Sequence, residues 1–301
     1  MDFSLLQRID PYVRMMRLKK DSMMSGKWKD IDYVFTYIAS GSADFIVEGN
    51  KYILGAGSVI IIPPYMTHII LSHGKEPLVQ YIMHFDFYEE PERRELIHKD
   101  ILEDEEYQVP VSERERDICP DVLLADIPEA ERNDMVRRYL GLLREFQEKR
   151  KGRELLIKAD CLGLLISSMR NLITLQEGAE SEKRKKNKAW VHIEQAVEFI
   201  NRSNLTEGPD NDSIAKAAGV SPNYLTRVFQ EYIGVSLHKY VMNLKVEKAQ
   251  QLLLSGNVNV TEAARETGFS SINVFSKTFK SIMGISPSEF INQSINYENI
   301  S

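Results

Sequence analysis

Two stretches of the chain repeat the same polar residue types at the same spacing. Segments 222–236 and 272–286 align without a gap, and Arg227 of the first stands opposite Lys277 of the second. Arg can pair bidentately with guanine and Asn with adenine, whereas Ser, Thr and Lys readily contact phosphates. A repeat of such residues predicts two copies of one unit whose side chains can form hydrogen bonds with nucleic acid.

The apolar residues of each copy decide which side chains remain exposed. In the first copy Leu225, Val228 and Phe229 fall on one helical face and predict a buried stripe. A solvated helical face is the alternative for either copy alone, and the recurrence in register argues against it. The candidate DNA-contacting residues are Ser221, Asn223, Thr226, Arg227, Gln230, Ser271, Asn273, Ser276, Lys277 and Lys280.

A run of small residues and a glycine precede each copy. Ala215 precedes Gly219 at the spacing at which Ala264 precedes Gly268. A small residue lets a second helix cross closely, and glycine accepts the positive φ of a tight turn. Each copy is therefore predicted to be the second helix of a helix-turn-helix unit, which enters the DNA major groove.

The two predicted units lie at about 212–233 and 261–283 and are joined by a third helical pattern. Residues 237–254 would form a helix of about 27 Å. This length is close to the roughly 34 Å repeat of one duplex turn. Both second helices can then reach adjacent major grooves on one face of double-stranded DNA.

This part of the sequence resembles the AraC/XylS family of bacterial transcription regulators. The resemblance rests on Gly219–Phe229, Gly268–Ser270 and Gly284–Ser288, and it implies a DNA-binding domain with two helix-turn-helix units. Members usually have other residue types where this chain has Gln230, Lys245, Ala263, Asn273, Val274 and Ile291. The charges that are missing at some of these positions weaken the expected contacts with phosphates.

Short strand patterns fill residues from about 31 to 87. Apolar and polar residues alternate there and glycine turns separate the runs, which favours an antiparallel sandwich or barrel. The spacing Gly57-x5-Pro63-x4-His68 resembles the second motif of cupins. It implies a cupin-like sensory β-barrel over residues 1–110, with room for one small molecule.

Aromatic and polar residues near the strand positions are candidates for binding such an effector. They are Trp28, Tyr33, Tyr37, Tyr65, His68, Gln80 and His84, with Asp86 beside them. The alternation along the last strand leaves open which of its faces points inward, and a hydrogen-bonded core position is the alternative for His68. Metal-dependent cupins carry a His-x-His motif that this chain lacks, so no metal and no cofactor is expected.

Between residues 128 and 176 apolar residues recur at helical spacing and predict two long helices. These helices bury their stripes against the barrel, against each other or against a second subunit. The segment 111–180 is therefore expected to be a helical dimerisation segment. The cationic run 183–188 indicates a linker, which places the DNA-binding domain at 181–301.

The composition excludes several other classes of protein. A chain of 301 residues with 43% hydrophobic residues and a net charge of −6 is typical of a globular protein of about two domains. It shows neither a secretory signal nor an apolar run long enough for a bilayer, so a cytoplasmic protein without membrane contact is expected. Cys119 and Cys161 belong to no disulfide or zinc pattern.

The expected fold class is α+β and multidomain, with a cupin-like β-barrel, a helical dimerisation segment and an all-α domain of paired helix-turn-helix units. We expect a transcription regulator, not an enzyme, that binds double-stranded operator DNA as a homodimer and responds to a small-molecule effector such as a sugar. RNA polymerase is a further candidate partner. The alternatives are a constitutive architectural DNA-binding protein whose barrel only dimerises, and a metal-dependent cupin enzyme fused to a DNA-binding module.

Overall fold

The computed structural model describes residues 7–21, 25–73, 76–94, 109–148, 150–173, 188–255 and 258–291. Its strands are β1 (Tyr12–Asp21), β2 (Ser25–Trp28), β3 (Tyr33–Ser40), β4 (Ser42–Val47), β5 (Asn50–Gly55), β6 (Ser58–Ile62), β7 (His68–His73), β8 (Leu78–Asp86) and β9 (Leu123–Asp126). Its helices are α1 (Pro91–Arg94), α2 (Glu113–Ile118), α3 (Glu129–Glu148), α4 (Arg153–Arg170), α5 (Lys188–Arg202), α6 (Asn211–Ala217), α7 (Pro222–Ile233), α8 (Leu237–Leu254), α9 (Val260–Glu266) and α10 (Ile272–Met283). Apart from Lys188, the cationic run 183–188 lies outside these residues.

The strands form an antiparallel sandwich of two facing sheets. The first sheet has five strands in the order β1-β8-β3-β6-β9, and the second has four in the order β2-β7-β4-β5. Within the described ranges no ladder joins the edges of the two sheets. Of the sandwich and the barrel that the strand pattern favours, the cupin-like domain is therefore an open sandwich, and it keeps an interior between its sheets.

Alternation along the strands assigns each side chain to one side of its sheet. In β3, Val34 points into the sandwich interior and Phe35 points outward. In β8, Ile82 points inward and Tyr81 outward. The sequence left the orientation of β8 open. In the structure, β8 turns Gln80, Ile82, His84 and Asp86 toward the interior.

Helices α3 and α4 cover the outer face of the five-stranded sheet. Tyr139 of α3 and Leu165 of α4 share one buried core with Phe35 and Met83 of the sheet. These are the two long helices that the periodicity predicts. The sequence did not indicate strand β9, because a run of four residues is too short to show alternation. Since β9 pairs with β6, part of the 111–180 segment belongs to the sheet.

Helices α5 to α10 form the C-terminal domain, which has two cores. Helices α5, α6 and α7 pack with the first part of α8 around Phe229 and Tyr240, and α9 and α10 pack with its second part around Phe275 and Phe279. Helix α8 thus contributes to both cores. Across the described chain, no helix combines the length and apolar character needed to cross a membrane.

The outer face of the four-stranded sheet packs against the C-terminal domain. Ile69 and Leu71 of β7 belong to the same buried cluster as Trp190 of α5. Gly49, at φ +81°, comes so near that a Cβ there would lie 3.1 Å from the Trp190 Cγ. The sheet is therefore a single layer between the sandwich interior and the C-terminal domain.

Trp190→Ala should lower the free energy of unfolding by about 3–5 kcal/mol, because it removes a fully buried ring from the junction of the two domains. Urea unfolding followed by circular dichroism measures this. Leu254→Ala changes an exposed residue at the end of α8 and should stay within about 0.5 kcal/mol of the parent protein. Equal stability of both variants would contradict the shared core.

Candidate nucleic-acid interface and ligand pocket

The first helix-turn-helix unit consists of α6, a glycine turn and α7. Asp210 accepts a hydrogen bond from the Ser213 backbone at 2.6 Å and caps α6. Ser221 accepts one from the Tyr224 backbone at 3.3 Å and caps α7, whose first residue is a proline. These local signals are the reason why both helices begin where the sequence predicts.

The second unit repeats this construction with α9 and α10. Asn259 and Glu262 form a reciprocal capping box at the start of α9. Gly268 forms the turn at φ +69°, and a Cβ there would lie 2.1 Å from the Leu205 carbonyl oxygen, so only glycine fits. Ser271 caps α10 by accepting a hydrogen bond from the Val274 backbone at 3.2 Å.

In both second helices the apolar stripe is buried and the predicted contact residues lie on the outside. Leu225, Phe229, Phe275 and Phe279 are buried. The exposed predicted residues are Ser221, Asn223, Thr226, Arg227 and Gln230 in the first unit and Ser271, Asn273, Lys277 and Lys280 in the second, with Ser276 half-buried. The predicted contact residues of each unit therefore present polar side chains to solvent, with one cation among them, Arg227, in the first unit and two, Lys277 and Lys280, in the second.

Side chains between the two units fix their relative position. The Lys245 ammonium of α8 donates a hydrogen bond to the Gly268 carbonyl at 2.9 Å, and Thr206 donates one to the Glu266 carbonyl at 2.9 Å. Burial lowers the pKa of Lys245 below its ordinary value. Lys245, which stands where family members usually have arginine, thus attaches α8 to the turn of the second unit.

A cavity of about 260 Å³ lies between the two sheets of the sandwich. It is lined by Met15, Arg17, Lys19, Trp28, Asp30, Val34, Thr36, Phe45, Ile62, His68, Ile70, Ile82 and His84. The Lys19 ammonium lies 5.6 Å from the centre of the Trp28 ring, and the ring also stacks with His68. The cavity combines apolar walls with hydrogen-bonding groups, as small-molecule sites do.

A row of ionisable side chains, which we call the charged row, reaches this cavity, and three of its members, Asp30, His84 and His68, line it. Its members, in spatial order, are Arg93, Asp86, Arg14, Asp32, His84, Asp30 and His68. Basic and acidic side chains alternate along the row. Arg93 Nη2 lies 2.9 Å from Asp86 Oδ1, and His84 Nδ1 lies 3.0 Å from Asp32 Oδ1. The far end is fixed because His68 Nδ1 lies 3.2 Å from the Met66 carbonyl oxygen.

The structure separates the predicted effector residues into two groups. Trp28, His68 and His84 line the cavity, and Gln80 is buried on the same inward face of β8. Tyr33 and Tyr37 lie on the opposite face of β3, in the core beneath α3 and α4, where burial raises the pKa of both hydroxyls. The Tyr65 hydroxyl donates to the Val109 carbonyl at 2.8 Å, outside the cavity.

Other cavity residues were not indicated by the sequence. Arg17 and Lys19 come from β1, where positive charges interrupt the alternation that would mark a strand. Asp30 lies between β2 and β3, where no alternation assigns a side chain to a face. Thr36 alternates with Tyr37 along β3, so it could have been found once the inward face of β3 was known.

Asp30, Asp32 and His84 also place potential metal ligands within 4.8 Å of one another. The Arg14 guanidinium lies 3.7 Å from Asp32 and compensates part of this negative charge without a metal ion. This donor set differs from the His-x-His motif of metal-dependent cupins.

Two family models match the chain. An AraC-like ligand-binding domain matches residues 20–165, and a helix-turn-helix domain matches residues 214–293. Together they cover the sandwich from the end of β1, its long helices up to residue 165, and both helix-turn-helix units from within α6.

Individual relatives match over shorter stretches. The uncharacterized transcriptional regulator YfiF of Bacillus subtilis is 33% identical over 111 residues, which is 36% of this chain and 35% of that protein. The xylose operon regulatory protein of Escherichia coli is 30% identical over 96 residues, 32% of this chain and 24% of that protein. The matches thus span about a third or less of these relatives.

Among solved structures, ToxT of Vibrio cholerae aligns over 95% of this chain and 99% of its own with 17% identity and a TM-score of 0.42.

Arg93→Ala should lower the free energy of unfolding by about 3–5 kcal/mol, because it leaves Asp86 with one buried charge partner fewer. The side chain of Arg93 is 1% exposed, whereas that of the adjacent Arg94 is 60% exposed. Arg94→Ala is therefore the matched control and should change stability by less than about 0.5 kcal/mol. Thermal and urea unfolding measure both, and equal losses would refute the role of the charged row.

Proposed function

The chain belongs to the AraC family of transcription regulators, and we propose that it binds operator DNA through both helix-turn-helix units and responds to a small molecule in the sandwich cavity. The observation that carries this proposal is the coincidence of two matching exposed polar faces with a lined cavity in the other domain. The relatives described above are transcriptional regulators, which favours regulation over catalysis. A protein of this function acts in the cytoplasm, where the DNA lies.

The cavity favours a compact polar metabolite, and a sugar fits its chemistry. Asp30 offers carboxylate acceptors, Thr36 a hydroxyl, and His84 a ring nitrogen, which suits a ligand that both donates and accepts hydrogen bonds. The Trp28 ring supplies a flat apolar surface on which the C–H face of a sugar ring can stack. Arg17 and Lys19 add donors on the side of β1.

The single-layer sheet offers a route from the ligand to the DNA-binding domain. His68 and Ile70 of β7 face the cavity, while Ile69 and Leu71 of the same strand pack against the core of the C-terminal domain. Trp28 lines both the cavity and the crevice between β2 and helices α5 and α8. A ligand changes DNA binding only if it binds one arrangement of these layers better than the other.

Helices α3 and α4 supply the surface that we assign to a homodimer. Leu140, Leu155 and Leu156 are exposed apolar residues on these helices, and a second copy of the chain would cover them. A dimer places four helix-turn-helix units on paired half-sites, which raises the affinity for DNA. Contacts with RNA polymerase would then be made from the DNA-bound dimer.

The experiment that tests the function is a selection from random duplex DNA by the purified protein, repeated with a panel of sugars and carboxylates. Paired half-sites whose enrichment changes with one compound would support both the sensor and the operator. Enrichment that no compound changes would favour the constitutive DNA-binding protein, and the absence of enrichment would refute sequence-specific binding.

Arg227→Ala should weaken operator binding by about 1–3 kcal/mol and relax the preference at one base position, because the exposed guanidinium is the strongest base-reading group of the first unit. Arg94→Ala removes an exposed arginine from α1, outside both the DNA-binding domain and the helices assigned to the dimer, and should leave the affinity unchanged. Fluorescence anisotropy with the selected duplex measures both. Equal affinities for the two variants would remove Arg227 from the interface.

Thr36→Val should weaken ligand binding by about 1 kcal/mol, since it deletes one hydroxyl from the cavity wall at nearly constant volume. Tyr37→Phe deletes a hydroxyl from the next residue, on the opposite face of β3, and should leave ligand affinity unchanged. Calorimetric titration with the sugar found in the selection measures both. A loss in the Tyr37 variant alone would show that the ligand binds elsewhere.

A further inference from the structure

Two large apolar side chains are exposed in the first turn of α10. Ile272 is 42% and Val274 is 46% exposed, and the polar Asn273 lies between them. The Ser271 cap fixes this turn, because its hydroxyl oxygen accepts a hydrogen bond from the Val274 backbone N–H. The pair therefore stands at the helix end that meets base edges in a helix-turn-helix unit.

The corresponding turn of the first unit is different. Its aligned residues are Pro222 and Tyr224, and Tyr224 is half-buried. The Tyr224 ring makes an edge contact with His192 at 6.2 Å, and the Arg227 guanidinium lies 5.3 Å from its centre. The protein itself therefore partly covers the Tyr224 position in the first unit, although Pro222 is exposed, whereas the second unit presents the aligned Val274 to solvent.

The surroundings of the exposed pair suit nucleic acid. Lys277, which follows Val274 by one helical turn, and Lys280 are both exposed on α10, and their ammonium groups can reach phosphates on either side of a groove. In the major groove the thymine 5-methyl group is the apolar feature that side chains can contact. An apolar pair bordered by cations thus complements thymine methyl groups lying between phosphates.

We propose that Val274 and Ile272 read thymine methyl groups in the half-site bound by the second unit, with Asn273 available for an adjacent adenine. This inference rests on the proposed function, because it requires that α10 enters a major groove. It makes the two units different readers. The first reads through hydrogen bonds from Asn223, Thr226 and Arg227, and the second reads A·T pairs largely through apolar contact.

Deoxyuridine tests this proposal because it lacks only the methyl group of thymidine and keeps every hydrogen-bonding group. In the selected operator, each thymidine is replaced singly by deoxyuridine, and affinity is measured by fluorescence anisotropy. One buried methyl-sized group corresponds to about a fourfold change in affinity. We expect that loss at one or two thymidines of the half-site bound by the second unit.

Val274→Ala should abolish the discrimination between thymidine and deoxyuridine at one of these positions. Alanine is the best helix former, so the fold of α10 is kept. Leu254→Ala, which truncates another exposed apolar residue of the same domain, is the matched control and should keep the full discrimination.

The outcomes separate this proposal from the function on which it rests. Absence of any selected operator would refute the proposed function itself. Tight, specific binding that is indifferent to deoxyuridine at every position would overturn the methyl contact alone, and the apolar pair would then face a protein partner. Discrimination that persists in both Val274→Ala and Ile272→Ala would overturn the assignment to these two residues.

Discussion

The charged row at the end of the sandwich is the constraint on which the cavity depends. Moving an ion from water into a protein interior costs several kcal/mol, and only well-placed partners offset that cost. Asp86 is held by two arginines, and Arg93 also donates to the Val109 carbonyl at 3.0 Å, so the row ties β8 to the segment that follows it. Because His84 and Asp30 are members of the row, the groups that face the cavity are positioned before any ligand arrives.

The rest of the molecule is arranged in layers around that cavity. Helices α3 and α4 cover one sheet, and the C-terminal domain covers the other. The outer faces of both sheets are thus apolar and buried where these helices and the C-terminal domain cover them, while the inner faces combine apolar residues with the charged row. The four-stranded sheet is both the wall of the cavity and the surface against which Trp190 packs, so one layer separates the cavity from the C-terminal domain.

The sequence predicted the features that depend on local signals. Caps such as Ser221 and turn glycines such as Gly268 act within a few residues, so both helix-turn-helix units were predicted from sequence alone. The cavity depends instead on which way β3 and β8 face, and this is decided by what packs on their far side. Tyr37 was therefore included among the candidates and Arg17 was not. Of these two residues, the structure places Arg17 at the cavity and Tyr37 on the opposite side of the sheet.

Strand β7 serves two cores at once, and this limits how the gene can vary in length. Its residues alternate between the cavity and the C-terminal domain, so a shift of one residue exchanges the two sets. A single codon inserted within β7, between His68 and Ile69, would carry Ile69 and Leu71 into the cavity and turn Ile70 toward the C-terminal domain. Substitutions within β7 can therefore change the lining of the cavity, whereas insertions or deletions within this strand exchange the residues of the two cores.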